Sequence, residues 1–224
     1  MIPLRDEIPT RHFPIINYSL IGLNIIVFVF QVMLGGNQET FIQQMAVIPA
    51  HFTTALSIGD ITDIFTSMFM HGGLLHIGGN MLYLWIFGDN VEDSMGPFRY
   101  LIFYLLGGII ASLTHILTNP SSQLPTIGAS GAIAAVLGAY LVLYPQSKVL
   151  TVIPLGFFVR ISAIPAIIVL GLWFVLQFFS GVLSLGAVEV GGIAFWAHIG
   201  GFVAGVILAK LFAKRPQYRQ RARW

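Results

Sequence analysis

Six stretches of this chain are continuous, apolar and nearly free of charge: residues 15–34, 67–87, 97–117, 130–143, 164–183 and 193–212. A helix needs roughly 20 such residues to cross the hydrocarbon of a bilayer. A membrane barrel would instead show short alternating segments. The rest of the composition agrees. Only 9% of the residues are charged and 56% are hydrophobic, where a soluble domain carries about a quarter charged residues. The expected fold is therefore all-α: a polytopic membrane protein with a six-transmembrane-helix bundle. No internal repeat is visible, and the absence of cysteine excludes disulfides and thiolate metal sites.

The placement of charge orients the bundle. With six spans, both termini and the second and fourth loops share one side. Those segments and the adjoining span ends hold Arg5, Arg11, Arg99, Lys148, Arg160, Lys210, Lys214, Arg215, Arg219, Arg221 and Arg223, every lysine and arginine in the chain. The opposite loops, 35–66, 118–129 and 184–192, hold only the acidic Glu39, Asp60, Asp63 and Glu189. Cytoplasmic loops carry the excess of basic residues, so both termini are expected in the cytoplasm. One false span would divide the basic residues between the two sides. The first fifteen residues lack the apolar core and small-residue cleavage site of a removable signal peptide.

The expected organisation is a cytoplasmic segment over 1–14, a membrane domain over 15–213 and a basic cytoplasmic tail over 214–224. The tail suits anionic headgroups. The location expected is the cell (inner) membrane, with multiple passes. Two features stand out. The fourth span has about 14 residues, roughly 21 Å of helix, so it starts below the outer surface. The first outer loop is long and partly apolar, with Phe41, Ile42, Met45, Val47 and Ile48. It is expected to rest on the membrane surface or on the helices.

Polar side chains inside a bilayer are costly and usually face the bundle interior or a wet cavity. His76 and Asn80 lie on the second span, Ser130 begins the fourth, and His198 is near the start of the sixth. The alternation of span direction puts all four at one depth, in the outer half. A serine hydroxyl becomes a nucleophile when a base takes its proton, and histidine is the usual base near neutral pH. Ser130 and His198 supply that pair. The Ser130 N–H at a helix N-terminus, with His76 and Asn80 opposite, could donate to an oxyanion. No Asp or Glu lies within the apolar part of a span, so a hydrolase here would work with a Ser-His dyad. Gly128, Gly131, Gly200 and the G-x-x-x-G of Gly201 and Gly205 would allow close helix approach.

Taken singly, each residue has a plainer reading. Ser130 could bond its own backbone, His198 could make a structural polar contact, and Asn80 an interhelical hydrogen bond. His71, about 140° from His76 on a helix, should not share its face, and their spacing is not that of a helical metal pair. His12, His51 and His115 have no assigned role. Two other classes stay open on residues alone: a channel or transporter with polar groups lining a path, and an inactive binding protein that escorts membrane clients.

The order H-G-G-L-L-H-I-G-G-N-M (71–81), G-A-S-G (128–131) and A-H-I-G-G-F-V-A-G (197–205) resembles the rhomboid intramembrane serine proteases across the whole six-span layout. The resemblance implies Ser130 as nucleophile, His198 as base, His76 and Asn80 as oxyanion donors, and Gly128 as the opening of the serine motif. It implies peptide-bond hydrolysis in or near transmembrane segments of single-span or polytopic membrane-protein substrates. It implies no cofactor or metal, no nucleic-acid partner, entry of substrate past the fifth span, and a capping loop at about 184–192. The sequence departs from the family in three places. The first outer loop has neither Trp nor Arg, Ala134 stands where some members have a tyrosine stacked on the histidine, and Ser94 replaces an arginine two residues after Glu92. Histidine orientation must then come from elsewhere.

Overall fold

The computed structural model describes residues 1–54, 56–156, 158–184 and 194–214. In chain order the elements are β1 (Ile2–Asp6), α1 (Ile15–Met33), α2 (Gln38–Met45), α3 (Pro49–Thr54), α4 (Ile58–Thr66), α5 (Leu74–Met95), α6 (Pro97–Thr118), α7 (Ser130–Leu143), β2 (Lys148–Leu155), β3 (Phe158–Pro165), α8 (Ala166–Ser184) and α9 (Phe195–Phe212). Four helices among the described residues, α1, α6, α8 and α9, are long and apolar enough to cross a bilayer. Helix α5 has 22 residues, but its last turns carry Asp89, Glu92 and Asp93. Helix α7 is apolar and has only 14 residues, about 21 Å. The chain is thus a mostly helical, polytopic membrane protein in which the six expected runs are unequal in length.

The short helix is the centre. Every residue from Gly131 to Tyr140 is buried. Its closest neighbour is α9, and small residues make that approach possible. A Cβ added at Gly201 would run into the carbonyl oxygen of Gly131, and one at Gly205 into that of Ala135. From the other side, a Cβ on Gly138 would collide with the Phe202 carbonyl. The G-x-x-x-G at Gly201 and Gly205 is therefore a backbone-to-backbone seam, as its spacing suggested.

Local chemistry sets the helix ends. Helix α5 begins at Leu74, later than the expected 67, because Ser67–Phe69 form a single 3₁₀ turn and the chain then passes through Gly72 and Gly73. Gly96, at φ 79°, stops α5, and Pro97 opens α6 in the position where its missing N–H has no consequence. Glu92 reaches across to the start of α1, which has no side-chain cap of its own. Its carboxylate accepts from Ile16 N–H at 3.1 Å and Asn17 N–H at 2.7 Å, satisfying two orphan donors. Asp93 accepts from the backbone N–H groups of Arg11 and His12. Glu92, which keeps only half of the family's Glu-x-Arg pattern, is thus a cap for a neighbouring helix.

At that same end lies a three-stranded antiparallel sheet of order β1-β2-β3, with Gly156 (φ 63°) in the β2–β3 turn. From the apolar runs alone 144–163 is expected as a loop, and nothing in the N-terminal segment announces a strand. The sheet carries the connection from α7 to α8, and β1 packs against α5. It ties the N-terminus down: Asp6 accepts from Asn90 Nδ2 at 2.9 Å and from the Tyr140 hydroxyl at 2.5 Å, and Lys148 N–H donates to Glu7. Lys214 N–H donates to the Ser94 carbonyl beside the α5–α6 turn. Arg5, Arg11, Arg99, Lys148 and Lys214 thus gather at one end of the molecule. Residues 215–224, most of the expected basic tail, lie outside the described residues.

The segment expected as the first outer loop is built, among the described residues, from α2, α3 and α4, and it packs on protein. Val47 and Thr126 exchange backbone hydrogen bonds at 3.1 and 2.8 Å, and Ala50 N–H donates to the Ser122 carbonyl. Val47 joins Ile64, Met68 and Ile116 in one apolar cluster, while Ile42, Ala46 and Met70 form another. This is how the loop is held without a Trp-Arg pair. His115 takes part from below, its Nε2 lying 3.0 Å from Thr126 Oγ1.

Candidate active site

The segment that leads into α7 is fixed by the contacts just described. Gly128 N–H then donates to the Ser67 carbonyl at 2.9 Å, and Gly128 adopts φ +131°. This is a position for glycine on two counts. The conformation is one that other residues rarely adopt, and a Cβ there would stand 2.8 Å from His76 Nε2. Two residues later Ser130 opens α7, whose N-cap, Ala129, offers no side-chain acceptor. The first N–H groups of the helix, that of Ser130 among them, therefore have no partner within it.

His198, in the first turns of α9, places its Nε2 at 2.8 Å from Ser130 Oγ. The α7–α9 seam explains how two residues far apart in sequence meet. The backbones touch one turn below, and both side chains rise from the same ends of their helices. On the facing helix α5, Gly72 N–H donates to His76 Nδ1 at 3.3 Å. With Nδ1 accepting, the neutral ring carries its hydrogen on Nε2, the nitrogen that faces Gly128. Asn80 lies one turn further along and is buried, and its Nδ2 has no hydrogen-bond partner among the described residues. All four side chains, with Gly128, line one cavity of about 520 Å³. The structure brings together every residue that the sequence singled out.

It also corrects one spacing argument. His71 was expected off the His76 face because five residues span about 140° on a helix. Since α5 begins only at Leu74, that rule does not apply. The two rings meet edge to face, 5.0 Å between centroids. The backbone of His71 is held from α1, with Gln31 Oε1 accepting from its N–H at 3.0 Å and Gln31 Nε2 donating to its carbonyl at 3.3 Å. His71 thus packs its ring against His76.

Two residues of the cavity went unnoticed in the sequence. Gln177 of α8 puts Oε1 at 2.7 Å from His198 Nδ1. Trp173, one turn earlier, lies with its ring centroid 5.9 Å from that of His198. The signal was present, since Gln177 is an amide in an otherwise apolar span, and such groups are seldom idle. The expected capping loop at 184–192 falls, but for Ser184, outside the described residues.

Chemically, the cavity offers an alcohol bonded to an imidazole, with the His76 ring and an Asn80 amide that has no partner among the described residues around it. That is the equipment of acyl transfer through a tetrahedral intermediate. Comparison with known proteins points the same way. Residues 59–215 match the model of the Rhomboid domain. The chain is 29% identical over 196 residues to rhomboid protease GluP of Bacillus subtilis, a match covering 88% of this chain and 34% of that protein. It is 28% identical over 221 residues to mitochondrial Rhomboid protein 1 of Saccharomyces cerevisiae, covering 92% of this chain and 58% of that one. It is 31% identical over 160 residues to RHOMBOID-like protein 5 of Arabidopsis thaliana, covering 71% and 47%. These matches span between about a third and three fifths of the relatives' own lengths.

Proposed function

This chain belongs to the rhomboid family, and from that footing we propose that it is an intramembrane serine endopeptidase working through a Ser130–His198 dyad. The observation that carries the reading is the 2.8 Å contact between Ser130 Oγ and His198 Nε2 inside a cavity that also holds the unpaired Asn80 Nδ2. In this reading Ser130 Oγ attacks the carbonyl carbon of a substrate peptide bond as its proton passes to His198 Nε2. The oxyanion forms among the Ser130 N–H, His76 Nε2–H and Asn80 Nδ2–H. His198 then returns the proton to the leaving amine. Water attacks the acyl-enzyme, with the same ring as base, and the acid product leaves.

The surroundings support a substrate class. The cavity lies within a helical bundle that buries its own backbone polar groups, so a target segment must present an unwound peptide bond. Unwinding in lipid leaves backbone groups unsatisfied at several kcal/mol each. Membrane-protein segments with Gly, Pro or small residues near the cut are therefore the favoured substrates. The proposed orientation keeps both termini, the sheet and the basic end in the cytoplasm, with Ser130 opening towards the other side. Residues 15–213 form the catalytic domain, flanked by the segments 1–14 and 214–224.

A serine-directed phosphonate or isocoumarin probe tests the reading. Folded wild-type protein should be labelled, and Ser130→Ala should not. A well-folded wild type that takes no label, at any pH between about 5 and 9, would leave the chain an inactive escort or a solute path.

A further inference from the structure

Resting on that reading, we infer that Gln177 is the positioning residue of the dyad: its side-chain carbonyl keeps the imidazole hydrogen on His198 Nδ1 and leaves Nε2 free to accept from Ser130. A neutral imidazole carries one hydrogen on one of two nitrogens, and the partner of the second nitrogen decides which. Nε2 faces the serine at 2.8 Å, and Nδ1 faces Gln177 Oε1 at 2.7 Å. A base for Ser130 must therefore hold its hydrogen on Nδ1, and that hydrogen needs an acceptor. In a triad a carboxylate does this. No Asp or Glu is among the described residues lining this cavity, and Gln177 occupies the place.

The geometry also supplies the ring's orientation. Trp173 lies one helical turn before Gln177, so both project from one face of α8. The indole flanks His198 while the amide bonds its edge. Ala134, where a stacking tyrosine would have stood, is buried in the α7 core. Orientation that a residue of α7 could have given thus comes from α8. Amide direction matters as well. Turned over, Gln177 would offer its NH₂ to Nδ1, the hydrogen would move to Nε2, and the ring could not take the serine proton. Helix α8 buries Ala166, Val169, Leu170 and Gly181. The base is competent only while α8 is seated with this amide facing His198.

The experiment uses the full chain in detergent micelles or liposomes, with a fluorogenic transmembrane peptide as substrate and the phosphonate as probe, from about pH 5 to 9. Gln177→Met keeps the length of the side chain and removes the acceptor. It should lower kcat by about 10- to 100-fold with KM nearly unchanged, the scale of a misplaced reacting group. Gln177→Glu restores an acceptor. It should recover most of the rate, and the acid limb of its pH–rate profile should move up by about one unit, because a carboxylate favours the charged imidazolium. If wild type is active and both variants keep its kcat and pH profile, Gln177 has no such role. If Gln177→Met does not fold, the profile of Gln177→Glu decides alone: an unshifted limb overturns the inference. A wild type that takes no label overturns the dyad itself, a separate result.

Discussion

His76 is a residue whose hydrogen is placed by its own loop. The Gly72 N–H occupies Nδ1, so Nε2 is the donor turned to the cavity. In the proposed mechanism Asn80 contributes the second side-chain donor. Replacing either His76 or Asn80 by alanine should slow turnover about 10²- to 10³-fold, by the scale of one lost oxyanion donor, with probe labelling slowed in step. His198→Ala should abolish turnover, and normal cleavage by that variant would show that another group takes the proton. Gly128→Ala should be more damaging than its one methyl suggests. The added carbon would press on His76 Nε2 at 2.8 Å in a backbone conformation alanine resists. Activity should fall at least about tenfold by the scale of displacing a reacting group, and the thermal midpoint should fall too. At this scale much was legible. Ser130, His198, His76 and Asn80 stand out because each is a polar group in an apolar run. Gln177 was equally visible on that criterion and was passed over, because its partner is a ring nitrogen that no spacing rule predicts.

Among the elements, the seam between α7 and α9 bears the most weight. Gly201→Val would thrust a branched side chain into the Gly131 carbonyl. The helices must then separate, and Ser130 and His198 with them. Loss of probe labelling together with a drop in thermal midpoint is expected, whereas Val206→Leu, on the exposed flank of α9, should leave both within error. The cap that α5 lends to α1 is a second test. Glu92→Ala removes a carboxylate bonded to two backbone N–H groups and should cost about 1–3 kcal/mol, read from denaturation in detergent. The helices themselves were legible because their apolar runs are continuous. The strands were not. Residues 148–155 and 158–165 are two short, largely apolar runs, and such runs do not separate strand from helix by periodicity. The third strand, β1, depends on pairing with residues some 145 positions away, which nothing local announces.

For the whole molecule, the two ends have different chemistry. At the basic end Asp6, the last residue of β1, is partly buried. Burial outweighs the hydrogen bond from Tyr140 and pushes its carboxyl up to about 6. Its folded value is above the unfolded one of about 3.9, so the fold favours the protonated form. That contribution is complete below about pH 4 and is lost as pH rises through about 6. The thermal midpoint should therefore decline over that window, and Asp6→Asn should flatten the decline; an unchanged slope would show that other groups govern it. The opposite end is acidic, and there hydrogen bonds from Ser57 hold the Asp60 carboxyl below its ordinary value. Single cysteines at Lys148 and Glu39, challenged with an impermeant thiol reagent on intact cells, should differ: Glu39→Cys reacts and Lys148→Cys does not. The reverse pattern would invert the orientation.

A seam made of touching backbones leaves almost no room for drift. There a single methyl has nowhere to go, so Gly138, Gly201 and Gly205 should be nearly frozen in a saturation library selected for cleavage. The outward flank of α8, with Ile168, Leu172, Leu176 and Phe179 exposed, should accept almost any greasy substitute. Engineering a new preference into this protein should then begin on that loose flank, because the tight partnership beside it has already spent its freedom on holding one alcohol against one ring.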